Sequence, residues 1–182
     1  MTTLRVCLDL NVLVANLLAG RKGRRGTACQ TLVAAVGTGH PAADPLQLVI
    51  SWGMLDRLEK VLRDDLGVSL ETASRYRAAL ASIAAAGPLA MAPSLTLGGT
   101  GLLPLDDPED GHVLDTALAG QADWLVTSDF RGFLLKPVRL VAFDRLAVHR
   151  ALGRDLWIAH PYTAAAWTRA PWRPPSVPFE GE

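Results

Sequence analysis

The sequence predicts an α/β fold, a mainly parallel sheet covered by helices on both faces. Three observations carry this. Short apolar runs suited to buried strands recur at residues 4–10, 46–50, 124–126 and 138–142. Helix-length amphipathic segments separate them, which is the βαβ pattern of a parallel sheet. The chain has 182 residues, 49% hydrophobic and 20% charged, enough for one well-packed domain and short for two.

Each element has a local reason. Residues 4–10 (Leu-Arg-Val-Cys-Leu-Asp-Leu) form the first strand, with Asp9 near its carboxyl end, and Asn11 then starts the apolar helical segment 12–18. Residues 20–26 are a Gly-bounded loop that crowds Arg21, Lys22, Arg24 and Arg25 together. Thr27 caps a helix through Val36, and Gly37-Thr38-Gly39 ends it. After the strand 46–50, Ser51 caps a helix with Met54, Leu55, Leu58, Val61 and Leu62 on one side. Ser69 opens a long Ala-rich helix that Gly87-Pro88 closes, and a Gly-rich connection follows over residues 93–104. Its Gly98-Gly99-Thr100-Gly101 lacks the Lys-Ser/Thr of a phosphate-binding loop.

The next stretch organises the chain. Asp107 suits a helix N-cap, Pro108 the first helical position, and Asp110 the third. Val113, Leu114 and Ala117 follow Asp110 at spacings of three, four and seven, so its carboxylate shares the apolar, inward face. Asp115 turns away to solvent, and His112 lies off the inward face and is exposed by this reading. Gly120 ends the helix, and residues 124–126 form a buried strand running to Asp129. Residues 138–142 make a further strand, and Asp144 caps a helix through residue 152. The domain is therefore expected over residues 1–152. A Trp- and Pro-rich tail, 153–182, would pack Trp157, Trp167 and Trp172 against the body or a partner.

Composition sets bounds on function. A net charge of zero argues against a protein that coats nucleic acid non-specifically. Cys7 and Cys29 have neither metal-ligand spacing nor a disulfide framework. Neither a signal-peptide layout nor a membrane-length apolar run is present, which predicts a soluble cytoplasmic domain.

In a parallel sheet ligands gather at the carboxyl ends of the strands. Asp9, Asp129 and the helix start at Asp110 all fall on that edge. Like charges held close together take up protons or hold a cation. Oxygen ligands alone suit Mg²⁺ or Mn²⁺, which activates water and offsets charge on a phosphate under attack. Phosphodiester hydrolysis suits the set best, with Thr127 orienting a carboxylate or water. The alternative is a set of unrelated caps and turns: Asp110 as an N3 partner, Asp129 closing a turn, Asn11 as an N-cap. The basic loop at Arg21, Lys22, Arg24 and Arg25 would overhang the acidic edge and hold substrate phosphates, or be a solvated loop.

Three stretches carry a resemblance. Leu8-Asp9-Leu10-Asn11-Val12-Leu13-Val14, then Asp107-Pro108-Glu109-Asp110-Gly111-His112-Val113-Leu114, then Leu125-Val126-Thr127-Ser128-Asp129 stand in order and at fitting separations. In these the chain resembles the PIN-domain nucleases, and in particular the toxin-like branch of bacterial toxin–antitoxin systems, over residues 4–152. The resemblance implies a three-layer α/β/α architecture and a Mg²⁺- or Mn²⁺-dependent endoribonuclease. It also implies Asp9, Asp110 and Asp129 as metal-binding acids, a protein antitoxin as partner and pairing into a homodimer. One position departs. The family often carries a Glu before a Leu-x-x-Val-Leu pattern, and here Arg57 precedes Leu58-Glu59-Lys60-Val61-Leu62. Asp56 is the stand-in by this reading. The departure opens a rival expectation, a degenerate module that binds RNA or a protein without cutting. A phosphatase with Asp9 as nucleophile fits less well, because Asn11 stands where that chemistry wants a second acid.

Overall fold

Six strands form one sheet in the order β2-β1-β3-β6-β5-β4. The computed structural model describes residues 2–39, 43–94, 108–133, 138–143, 145–151 and 153–175. β1 (Leu4–Leu8), β2 (Leu46–Val49), β3 (Trp124–Val126) and β6 (Arg154–Ala159) run parallel. β4 (Val138–Ala142) and β5 (Leu146–Ala151) close the sheet as antiparallel strands. The central strands are wholly buried at Val6, Cys7, Leu8, Trp124, Leu125 and Val126, as the continuous apolar runs required.

The helices make this a three-layer α/β/α sandwich. α1 (Leu10–Arg21) and α2 (Ala28–Thr38) connect β1 to β2. α3 (Trp52–Lys60), α4 (Leu70–Ala86) and α5 (Pro108–Ala119) lead from β2 past β1 to β3, and α6 (Pro161–Trp167) follows β6. α2 packs on α1 and α6, whereas α3 packs on α4 and α5. The chain thus turns one way from β1 to β2 and the other way to β3. In parallel sheets that reversal opens a crevice at the carboxyl ends, here between β1 and β3.

Caps set most helix starts. Thr27 forms a capping box with Gln30, the Ser51 hydroxyl accepts from the Met54 amide and Ser69 from that of Thr72. Asp107 and Asp144 lie outside the described residues, as do residues 95–104. α5 ends in a Schellman pair, Ala122 to the Ala117 carbonyl and Gln121 to that of Leu118. The left-handed residue there is Gln121, at φ 52. Gly120 serves close approach instead, since a Cβ would collide with Val49.

Two expectations are corrected. Residues 146–151 are strand β5, not a helix, because they pair along their whole length with β6. The supposed tail from 153 supplies β6, which lies between β3 and β5 inside the sheet. Gly153, at φ 75, makes the turn that joins them. Beyond it α6 is regular, with Pro161 in its first turn. Trp167 and Trp172 then cover Trp124, with ring centroids 5.1 and 5.5 Å from it.

Candidate active site

Asp9 sits where β1 becomes α1. The helix starts two residues earlier than expected, so Asp9 is the N-cap residue and Asn11 lies within the first turn. The Asp9 carboxylate makes no capping bond to that turn. Its Oδ2 instead accepts hydrogen bonds from Asn11 Nδ2 and Thr127 Oγ1, both at 2.7 Å. The residue is buried, and its amide is pinned to the Val126 carbonyl on β3. Burying a carboxylate is costly, and here two donors fix one of its oxygens.

Thr127 is the hub. Wholly buried after β3, its hydroxyl donates to Asp9 and accepts from Asn11 Nδ2 at 3.1 Å and the Asp129 amide at 2.9 Å. Asn11 completes the clamp, its Oδ1 accepting from the Ser128 amide at 3.2 Å. One turn of α1 therefore holds the β3 loop, and the hydroxyl of Thr127 closes the turn that presents Asp129. The Asp129 side chain is exposed.

Asp110, in the first turn of α5, is half-buried against Gly132. A Cβ at Gly132 would collide with its Oδ2, so only glycine allows that approach. Phe130 and Phe133 anchor the same loop in the core. The burial of Cys7 and the negative charge of Asp9 together push the Cys7 thiol far above its ordinary value, so it is an inert core residue.

The structure brings Asp9, Asn11 and Thr127 into direct contact and sets Asp110, in the first turn of α5, and Asp129, on the loop after β3, at the same carboxyl edge. Among the described residues no three His, Cys, Asp or Glu side chains gather closely enough to hold a metal ion. Asp56 is not brought to this edge group. Its exposed carboxylate meets Arg77 of α4 at 2.7 Å, and Glu59 joins the same guanidinium at 3.5 Å. Burial of Met54, Leu55 and Leu58 sets the rotation of α3 and leaves Asp56 and Arg57 outside. The basic loop is also corrected. Arg21, Lys22, Arg24 and Arg25 are exposed at the far end of α1, about 18 Å from its start by helix rise, and do not overhang the acids.

His112 is the residue the sequence reading missed. It is half-buried, its ring against Gly53 and its Nε2 3.2 Å from the Ser51 hydroxyl, which also accepts from Thr116 at 3.1 Å. Ser51 ends β2 as Asp9 ends β1, so this pair joins α5 to α3 along the same edge. Its signal was the small Gly53 in the first turn of α3, which leaves room for a ring.

An α/β sandwich with carboxylates at a strand-end crevice places them where such folds bind their ligands. The family model for the PIN domain matches residues 5–131, and the chain belongs to the PIN-domain family. PIN domains are generally nucleases, typically metal-dependent ribonucleases, so the fold is a nuclease fold. No curated protein and no solved structure matches the chain. Among the described residues no helix is long and apolar enough to cross a membrane.

Proposed function

We propose that the chain is a metal-dependent endoribonuclease that hydrolyses RNA phosphodiester bonds, and that it acts as the toxin of a toxin–antitoxin pair. One observation carries the reading: the buried Asp9 carboxylate at the sheet crevice is oriented by Asn11 and Thr127 and not used as a cap. Structural aspartates at helix starts normally bond the first-turn amides. This one does not.

Mg²⁺ or Mn²⁺ fits the donor set in kind, since Asp9, Asp110 and Asp129 offer only carboxylate oxygens. The three do not gather closely enough in this structure to hold an ion. On this reading Asp110 and Asp129 would draw in towards Asp9 to hold it, and the ion when bound would supply an activated water and offset charge on the attacked phosphate. Thr127 and Asn11 fix Asp9 Oδ2, and the Thr127–Asp129 turn sets the backbone of the third acid. Gly132 lets the loop lie on Asp110. RNA is the substrate, with a protein antitoxin and a second copy of the chain as partners.

Arg57 favours a second reading. It stands exposed where the family often has an acid, and Asp56 and Glu59 are both engaged by Arg77. On this reading the chain binds RNA or a protein without cutting. Cleavage of mixed RNA with and without Mn²⁺ separates the two. The nuclease reading expects cutting only with metal, and its loss in Asp129→Asn with the circular dichroism unchanged. Equal cutting by that variant would remove Asp129 from the mechanism, and no cutting by the parent chain would favour the binding module.

A further inference from the structure

The antiparallel half of the sheet brings a second group of side chains to the acidic edge. Leu146 of β5 pairs with Ala159 at the end of β6, and Ala142 of β4 pairs with Leu146. The β4–β5 turn therefore returns to the edge where the parallel strands end. On it Phe143 is 80% exposed, and just beyond β6 Tyr162 is 67% exposed. The Tyr162 ring stacks on His160, with centroids 5.4 Å apart and planes 18° from parallel. The Arg145 guanidinium carbon lies 5.9 Å from the centre of the same ring. A backbone bond of 2.9 Å from the His160 amide to the Arg145 carbonyl ties the two segments together. The sheet, not a loose terminus, sets where these rings stand.

Exposed rings beside an arginine are what unpaired bases stack on, because every base offers a π-face and the guanidinium meets the phosphate. β6 lies two strands from β1, which at the usual strand spacing is about 10 Å. About three stacked nucleotides cover that distance, at about 3.4 Å each. Exposed Arg139 on the same hairpin adds positive charge and favours a polyanion over an apolar protein face.

We propose that Tyr162 and Phe143, with Arg145, form a base-stacking subsite that selects single-stranded RNA and leads it to the acids. The inference rests on the reading of that edge as a ribonuclease centre. The test is fluorescence anisotropy of the full chain with a short labelled single-stranded RNA in EDTA, where no cutting can intervene. Tyr162→Ala should weaken binding about tenfold and Phe143→Ala should act in the same direction, while Tyr162→Phe keeps parent affinity. A fully paired hairpin RNA should bind parent and Tyr162→Ala alike. Equal affinity of parent and Tyr162→Ala for the single strand, or no binding by the parent, overturns the proposal. So does a loss that accompanies a dimer-to-monomer change in sedimentation, which assigns the rings to a second copy. Ring-dependent binding by a parent chain that leaves RNA uncut in Mn²⁺ would sink the nuclease reading and leave the subsite standing.

Discussion

The two halves of the sheet are built for different work. In the parallel half, β1 and β3 end on polar groups that bond one another: Asp9, Asn11 and Thr127 close a buried network across two strands. In the antiparallel half, β5 and β6 are joined by full-length pairing, with an exposed Arg150–Asp155 ion pair at their far end. There Arg150 pulls the Asp155 carboxyl below its usual range by hydrogen bonding. The first half ends its strands in a polar network, and the second supplies an edge and a surface. Stability and activity should therefore respond to different residues in the two halves.

The largest effect tests the structural half. Trp157 of β6 is buried and pairs with Trp124 of β3, so Trp157→Ala should cost about 3–5 kcal/mol. Urea unfolding would measure it, and a change below about 1 kcal/mol would mean that β6 contributes little to the fold.

A smaller effect with a double readout tests the chemical half. Thr127→Val keeps the shape but removes the hydroxyl that serves Asp9 and the Asp129 amide. It should cost about 1–3 kcal/mol of stability and lower cleavage at least about tenfold. If only stability falls, Thr127 is structural.

The smallest effect is alkaline. Burial raises Tyr76 to about 12, and its hydroxyl donates to the Leu13 carbonyl and accepts from Asn16. Its folded value lies above the ordinary value of 10, so the folded chain retains the proton longer. That contribution is whole below pH 10 and is lost as the pH rises towards 12. Tyr76→Phe should flatten this part of the stability–pH curve.

How much the sequence revealed follows the same division. β1, β2 and β3 were legible as apolar runs, and the caps at Thr27, Ser51 and Ser69 stood out as residue types that offer a side-chain acceptor. Asn11 and Thr127 were singled out beside Asp9 and do bond its carboxylate, though Asn11 as a cap was two residues late. β5 and β6 were not, because short apolar stretches suit helix and strand equally until a partner strand is known. The signal was Gly153 between two such stretches, which marks a hairpin as readily as the start of a tail. Asp56 was misjudged because helix rotation depends on what α3 packs against, and that is α4 with its Arg77. The basic loop was misplaced for a simpler reason: a twelve-residue helix carries its far end away from the crevice.

The central claim is that Asp9, fixed by Asn11 and Thr127, anchors an oxygen-ligated ion. Isothermal titration of Mn²⁺ into the parent chain and into Asp9→Asn tests it most directly. Asn keeps the shape and an acceptor for both donors, so the fold should survive while the charge is lost. The account predicts saturable binding by the parent at or below millimolar metal and none by the variant. Equal binding by both, or none by the parent, would contradict it.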